Sequence, residues 1–220
     1  MVKLEVCVDS IQGLNAAMEG GADRIELCSA LELGGLSPNE DLLKAARKID
    51  VPAMVMVRPR SGDFNWDAAE LRQCVREINY ARDAGFDGVV IGAATETGRL
   101  DQPAITTMMI AAADLDMTLH RVVDETPDPV QAAIEAQKLG LKRILSSGGA
   151  ETAMKGLGVI RQMIKAAPDL SVMPGAGVVP ENVDFIVKRT KTREIHGSFS
   201  LNGVTSASSI KAAKAAISAL

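Results

Sequence analysis

Two short runs near the start of the chain constrain the fold most strongly. Residues 4–10, Leu-Glu-Val-Cys-Val-Asp-Ser, alternate between apolar and polar side chains, and residues 24–29, Arg-Ile-Glu-Leu-Cys-Ser, follow the same pattern. Alternation with a period of two is typical of a β-strand whose two faces differ. Both strands begin a strand–helix repeat, in which both faces of a strand become buried. A buried face that carries Glu5, Cys7 and Glu26 therefore indicates a function.

The strand–helix alternation continues to the end of the chain. Eight strands are predicted, each followed by a helix and joined by short, glycine-containing turns such as 20–22, 84–86 and 139–141. This pattern predicts a parallel (β/α)8 TIM barrel as a single domain over 1–220, and a doubly wound open sheet is the alternative. The predicted strands cover about 2–8, 23–28, 53–57, 88–92, 117–121, 142–146, 170–173 and 193–196.

Composition narrows the classes of partner. The 220 residues carry 24 Lys plus Arg against 28 Asp plus Glu, a net charge of −4, which argues against nucleic acid or an anionic membrane as the main partner. We see no signal peptide and no apolar run of transmembrane length. Three cysteines do not make a disulfide framework and suit a reducing compartment. We therefore expect a cytoplasmic protein, with a homo-oligomer left open.

In a βα barrel the functional site lies at the carboxyl ends of the strands. There the sequence places a set of charged and thiol side chains: Glu5, Cys7, Glu26, Cys28, Arg58, Arg60, His120, Arg121 and Asp124. Arg58 and Arg121 are candidates to neutralise the carboxylates. One interpretation is a structural layer of salt bridges. Because buried ion pairs add little net stability, several in one barrel favour a functional site.

Glycine-rich loops after strands 6 and 7 suggest anion binding. Backbone N–H groups of such loops often hold phosphate in barrels, which makes Ser147, Gly148, Gly175 and Gly177 candidates. The guanidinium groups of Arg58, Arg60 and Arg121 would add contacts to a phosphate or carboxylate. His120 would transfer protons together with Glu5, Glu26 or Asp124. These residues fit a lyase, isomerase or hydrolase that acts on a small anionic or phosphorylated metabolite.

Cys7 and Cys28 suggest a different function for the same end of the barrel. They lie on the same face at the ends of adjacent strands, which are about 4.8 Å apart. Two thiolates suit a soft ion such as Cu(I), and Met54 and Met56 share the parity that points into the barrel. The structural alternative is simple packing, since free cysteine is among the most buried residue types.

Together these motifs resemble the CutC copper homeostasis proteins. The resemblance rests on LEVCVDS at 4–10, GGADRIELCS at 20–29, GGLSP at 34–38, MVRPRSGDF at 56–64, His120-Arg121 with Asp124, SSGG at 146–149, MPGAGV at 173–178 and EIHGS at 194–198. It implies a (β/α)8 barrel, a cytoplasmic location and a role in copper handling. It also implies Cys7 and Cys28 as Cu(I) ligands.

The chain departs from the family pattern in two places. Val122-Val123 precedes Asp124 where the family has Ala-Phe, and the segment after His196 is short and lacks the family's arginine. The missing arginine removes one anion contact from the expected site. Three functions therefore remain open: a copper-binding homeostasis protein, a barrel enzyme, or a scaffold, which the polar barrel interior favours least.

Overall fold

Eight parallel strands form a nearly closed barrel in the computed structural model, which describes residues 2–220. The barrel strands are β1 (Lys3–Val8), β2 (Arg24–Leu27), β3 (Ala53–Met56), β4 (Gly88–Ile91), β5 (Asp116–Leu119), β6 (Arg143–Ser146), β7 (Ser171–Pro174) and β8 (Glu194–Gly197). Their order is β7-β6-β5-β4-β3-β2-β1-β8, so the first strand pairs with the last. The predicted (β/α)8 barrel is confirmed.

Eight α-helices alternate with the strands. They are α1 (Ile11–Gly20), α2 (Glu40–Ala46), α3 (Ala68–Asp83), α4 (Gln102–Ala112), α5 (Pro129–Leu139), α6 (Leu157–Ala166), α7 (Val183–Thr190) and α8 (Ala207–Ser218). Local chemistry fixes their ends: Ser10 caps α1 by accepting the Gly13 N–H at 3.0 Å, and Gly21 ends it with φ of 80°. Within residues 2–220, each helix is too short or too polar to span a bilayer.

Two segments differ from the sequence prediction. The sequence pattern predicts a sixth helix over about 151–167, but α6 begins at Leu157, because residues 151–156 form turns that pack against the loop after β6. A Cβ on Gly156 would lie only 1.7 Å from the Ser147 carbonyl oxygen, so this crossing needs glycine. Between β8 and α8 the chain forms a small antiparallel hairpin, β9 (Ser200–Leu201) and β10 (Val204–Thr205), which the sequence pattern did not indicate.

Successive side chains of β1 point alternately into the core between the barrel and its helices and into the inside of the barrel. Leu4, Val6 and Val8 are fully buried in the apolar core between the barrel and its helices. Glu5 and Cys7 point the other way, into the barrel. The ladders place Cys7 opposite Glu26 of β2, and they place Glu5 opposite both Arg24 of β2 and His196 of β8.

A chain of alternating charges crosses the barrel interior. Asp116 Oδ2 lies 2.8 Å from Arg143, whose Nε lies 2.7 Å from Glu194 Oε2. The other oxygen of Glu194 lies 3.0 Å from Arg24 Nη1, and Arg24 also pairs with Glu5. Burial raises the pKa of Glu194, but the two arginines outweigh it and the pKa is lowered. A layer of salt bridges is therefore present, but its cations are Arg24 and Arg143 and not the Arg58 that the sequence suggested.

Candidate functional site

An open cavity of about 290 Å³ lies at the carboxyl ends of the barrel strands. Cys7, Glu26 and His196 line it from three strands, and Arg58 and His120 line it from the loops after β3 and β5. The hairpin region after β8 adds Phe199 and Ser200 to its wall. The cavity therefore lies where a parallel barrel places its functional groups.

Three potential metal ligands converge in this cavity. Cys7 Sγ, a Glu26 carboxylate oxygen and a His196 ring nitrogen all lie within 4.8 Å of one another. The three side chains are buried, and His196 Nε2 lies 3.8 Å from Glu26 Oε2. This convergence follows from the register, since β1 pairs with β2 on one side and with β8 on the other.

Glu5 is hydrogen-bonded to His196. Its Oε1 lies 2.7 Å from His196 Nδ1, so a ring proton is held on Nδ1, and Nε2 lies 3.8 Å from Glu26 Oε2. Burial raises the pKa of Glu5, but the hydrogen bond from His196 and the charge of Arg24 lower it to about 2. Burial lowers the pKa of His196, but Cys7, Glu26 and Glu5 raise it well above its usual value.

Cys28 is hydrogen-bonded to Glu26 of this group. Its Sγ donates to Glu26 Oε2 at 3.3 Å, and burial, followed by the charge of Glu26, raises the pKa of its thiol well above the usual value. Cys7, Cys28, Met54 and Met56 belong to one buried cluster inside the barrel. The residue directly opposite Cys7 is Glu26 and not Cys28, so the two thiols are diagonal neighbours.

Arg58 does not neutralise a carboxylate, contrary to expectation. Its Nη1 donates to the carbonyl oxygens of Leu33 at 2.9 Å and Gly35 at 3.3 Å, and its Nη2 donates to that of Gly62 at 2.9 Å. The guanidinium lies 4.5 Å from the centre of the Phe64 ring. Within residues 2–220 no carboxylate oxygen lies within 4.0 Å of it, and its Nε has no hydrogen-bond partner.

His120 is a neutral side chain in this site. Burial, together with the nearby charge of Arg58, lowers the pKa of His120 to about 3. Its Nδ1 accepts the Val122 N–H at 3.2 Å, and its ring lies 4.5 Å from that of Phe64. In the described chain, Nε2 is buried without a partner. The lowered pKa does not favour the proton-transfer role that the sequence suggested for His120, because the imidazole is desolvated next to a cation.

The loop after β6 already holds a carboxylate. Asp124 accepts hydrogen bonds from the Ser147 N–H at 2.8 Å, the Gly149 N–H at 3.0 Å and the Ser146 hydroxyl at 2.6 Å. Arg121 pairs with the same carboxylate at 2.9 Å. The N–H groups of this loop, which the sequence suggested for an external anion, thus bind the chain's own side chain. The Gly148 N–H donates to Ser146 Oγ at 2.8 Å.

The remaining anion-binding candidates are divided by the structure. Gly177 and Arg121 line the cavity, whereas the Gly175 N–H donates to the Ser146 carbonyl at 3.0 Å. Arg60 lies outside the cavity, where it pairs with Asp63 and Glu70 on the loop after β3 and the start of α3. It also stacks over Trp66, with its Cζ 4.9 Å from the ring centre.

Sequence reasoning gave no role to His196 or Arg24. The contacts of His196 depend on the pairing of β8 with β1 across 191 residues, which local patterns do not reveal. Arg24 has the inward parity of Glu26, which is the signal that could have found it.

Comparison with known proteins supports the resemblance that the motifs indicated. The CutC family profile matches residues 2–201. A Sinorhizobium medicae protein designated CutC is 46% identical over 200 residues, covering 90% of this chain and 82% of the relative. A Photobacterium profundum CutC is 40% identical over 197 residues, covering 89% and 80%.

Two solved structures extend the comparison. A Streptococcus agalactiae CutC, provisionally named for copper homeostasis, has a TM-score of 0.85 and 28% identity, covering 91% of this chain and 100% of that one. A thiamine phosphate pyrophosphorylase of Pyrococcus furiosus, at a TM-score of 0.67 and 18% identity over 99% and 96% of the two chains, shares the fold. With the profile covering most of its length, this chain belongs to the CutC family.

Proposed function

We propose that this chain handles copper and holds a Cu(I) ion on the floor of the barrel cavity. The observation that carries the proposal is the convergence of Cys7, Glu26 and His196, whose donor atoms lie within 4.8 Å of one another. The provisional name of the Streptococcus agalactiae relative supplies the metal. Copper is the cargo of such a protein, and a site open to the cavity suits uptake and release.

The donor set supports this choice of metal. Thiolate and thioether sulfur prefer Cu(I), and imidazole is also a good copper ligand. Cys7 and Cys28 contribute two thiols to one buried cluster that also contains Met54 and Met56. His196 adds Nε2. We assign Cys7 and His196 of this group as ligands, together with Cys28, whose Sγ donates to Glu26 Oε2 at 3.3 Å. Glu26 accepts the proton that the Cys28 thiol must release, and the proton on His196 Nε2 passes to solvent through the open cavity.

Glu5 has a separate role in this proposal. Its carboxylate binds His196 Nδ1 at 2.7 Å and so fixes the ring orientation and the tautomer. A carboxylate on the far nitrogen of a metal-binding histidine also increases its basicity as a ligand. Arg24 in turn holds Glu5.

A competition titration with a chromogenic Cu(I) chelator under anaerobic conditions tests the proposal. We expect one Cu(I) per chain, with the affinity lost in the double variant Cys7→Ser/Cys28→Ser. Cys74→Ala is the matched control, since Cys74 is a buried thiol in the core of α3 and lies outside the cavity. If the double variant keeps the wild-type affinity, the assignment is wrong.

A second candidate function is an enzyme for a small anionic metabolite. The cavity volume of about 290 Å³ far exceeds the space of an ion, since a water molecule occupies about 30 Å³ in the liquid. Glu26, Arg58 and His120 line it, and each keeps one buried polar atom without a partner within residues 2–220. Such atoms are costly unless a ligand satisfies them.

A thermal-shift screen of phosphorylated and carboxylated metabolites on metal-free protein tests this candidate. A compound that stabilises the protein is then assayed for turnover, with Glu26→Gln as the variant that binds without reacting. If no compound of either class raises the melting temperature, the enzyme hypothesis is contradicted.

A further inference from the structure

The wall of the cavity formed by Arg58, Phe64 and His120 takes no part in the copper site. Phe64 packs against the other two: the Arg58 guanidinium and the centre of the His120 ring each lie 4.5 Å from the centre of the Phe64 ring. All three are almost fully buried, and all three line the cavity. This wall therefore offers a second set of polar groups in the same cavity.

The hydrogen bond at Nδ1 determines what His120 offers. The Val122 backbone N–H donates to Nδ1 at 3.2 Å, so Nδ1 carries no proton. In a neutral imidazole the proton must then be on Nε2, which makes Nε2 a donor. Within residues 2–220 this buried donor has no acceptor. His120 is 3% exposed, so its ring has almost no contact with bulk solvent.

Arg58 offers a second unsatisfied donor and a positive charge. Its terminal nitrogens bind three carbonyl oxygens, which hold the guanidinium in place, whereas its Nε has no partner in the described residues. Arg58 is 6% exposed, and no carboxylate oxygen in 2–220 lies within salt-bridge distance. The charge of Glu125 acts on Arg58 without a direct salt bridge, so the buried guanidinium still gains from an anion bound in contact with it.

We propose that Arg58 Nε and His120 Nε2 bind the oxyanion group, a carboxylate or a phosphate, of a small organic ligand. His120 acts here as a fixed hydrogen-bond donor and not as a proton-transfer group. The rest of the ligand extends along the cavity towards Glu26, whose unpaired oxygen accepts a hydrogen bond from a hydroxyl or amine. This inference rests on the second candidate function and assigns the atoms that hold the anionic group of its ligand.

Phe64 packs against both groups. Because the two nitrogens have almost no exposed surface, the side chains packed around them, Phe64 among them, must shift when a ligand binds. Trp66 is the single tryptophan, and its ring centre lies 6.2 Å from that of Phe64 in an edge-on arrangement. Binding therefore changes the environment of the only tryptophan.

The experiment titrates metal-free protein with inorganic phosphate, glycerol 3-phosphate and malonate, and follows Trp66 fluorescence and binding heat. We expect at least one of these anions to saturate the wild type with a Kd on the order of 1 mM or tighter. The phosphate and malonate arms distinguish the two oxyanion classes. We expect His120→Gln and Arg58→Lys each to weaken binding about tenfold or more, because each removes a buried donor.

Arg60→Gln is the matched control, since Arg60 lies on the same loop as Arg58 but outside the cavity, and its binding heat should equal that of the wild type. Circular dichroism shows whether Arg58→Lys, which loses carbonyl contacts, is still folded, and His120→Gln tests the proposal independently. Absence of saturable binding by every probe, or equal affinity in wild type and His120→Gln, overturns the proposal. Copper binding is titrated in a separate experiment, in buffer without these anions. A negative result for anion binding therefore leaves the copper proposal standing, and the reverse also holds.

Discussion

Glu5 and His196 face each other across the ladder between the first and last barrel strands, with Glu5 Oε1 2.7 Å from His196 Nδ1. This pair connects the charge chain inside the barrel to the proposed copper ligands. Because the carboxylate holds Nδ1, the other ring nitrogen is directed at Glu26 and Cys7. The orientation of the site thus depends on a residue that does not line the cavity.

Replacing Glu5 by glutamine tests this relationship. We expect Cu(I) affinity to fall about 10–100-fold, since loss of a carboxylate behind a histidine ligand has effects of that size. The measurement is the chelator competition, with far-UV circular dichroism to confirm folding. Glu19→Gln, which changes an exposed carboxylate paired with Lys211, should leave the affinity unchanged. Equal affinities in the wild type and Glu5→Gln would show that the ring needs no such support.

Removing Arg24 should destabilise the barrel strongly. Arg24→Met leaves Glu5 and Glu194 buried without their shared cation, and breaking a buried ion pair in this way costs about 3–5 kcal/mol. Urea unfolding measures the change in the free energy of unfolding. Lys44→Met is the control: its pair with Glu40 is exposed on α2, so the loss should stay below about 1 kcal/mol. Similar losses in both variants would contradict the structural role of the charge chain.

The Asp124 carboxylate should determine the order of the loop after β6. Asp124→Asn removes a charged acceptor from two backbone N–H groups, and we expect a loss of about 2–3 kcal/mol. Amide exchange of Ser147 and Gly149, followed by NMR, should accelerate. Asp128→Asn makes the same chemical change at the N-cap of α5, where asparagine caps equally well. Unchanged exchange at Ser147 would mean that the carboxylate does not hold the loop.

His120 should make stability depend on pH in the acid range. Its folded pKa of about 3 lies below the unfolded value of about 6.5, so below pH 6.5 the unfolded state binds a proton that the folded state does not. Stability is fully present above pH 6.5 and falls as the pH drops towards 3, by at most about 1.4 kcal/mol per pH unit. Urea unfolding of wild type and His120→Gln between pH 4 and 8 measures the difference.

His196, the other histidine, does not interfere with this measurement. The folded pKa of His196 is raised, so its contribution is fully present below pH 6.5 and is lost only as the pH rises towards the folded value. Arg58 is the charged group next to His120, and it stays protonated throughout this range. If His120→Gln shows the wild-type slope below pH 6.5, His120 is not a buried neutral side chain.

Gly92 should be required for the position of His120. A Cβ at Gly92 would lie 2.4 Å from His120 Cε1, so Gly92→Ala displaces the ring and costs about 1–3 kcal/mol by overpacking. Trp66 fluorescence should change as well, because the Trp66 N–H donates to the Gly92 carbonyl at 2.8 Å. Gly158→Ala in α6 is the control: no atom lies within 4 Å of its Cβ position, and alanine there should stabilise by about 0.5–1 kcal/mol. A fully stable Gly92→Ala would contradict the packing described.

The strand–helix order was predictable because it depends on local patterns. Alternating strand patterns, helix caps and the glycines that end helices are all recognised within about ten residues of sequence. The eight barrel strands were therefore predicted close to their observed bounds. Helix α6 was predicted too early, because only a tertiary contact, between Gly156 and the loop after β6, shows that residues 151–156 are turns.

The site was less predictable, because parity gives the face of a residue but not its partner. Parity and strand ends indicated that Cys7, Glu26 and His120 lie at one end of the barrel, and all three line the cavity. Arg60 has the same apparent position as Arg58, yet it folds outwards to Glu70, a contact that only the start of α3 provides. Asp124 filled the loop that an external anion was expected to occupy, which depends on the length of the turn after β5.

The pairing of the first strand with the last affects how the protein is made. Arg24 and Glu5 emerge early during synthesis, but Glu194 and His196 follow 170 and 191 residues later. Until β8 has left the ribosome, the buried charges of β1 and β2 lack part of their partners, so the nascent barrel cannot close. Folding therefore waits for nearly the whole chain, and contacts of such sequence separation make it slow. We therefore expect nascent chains truncated just before β8 to depend most on chaperones.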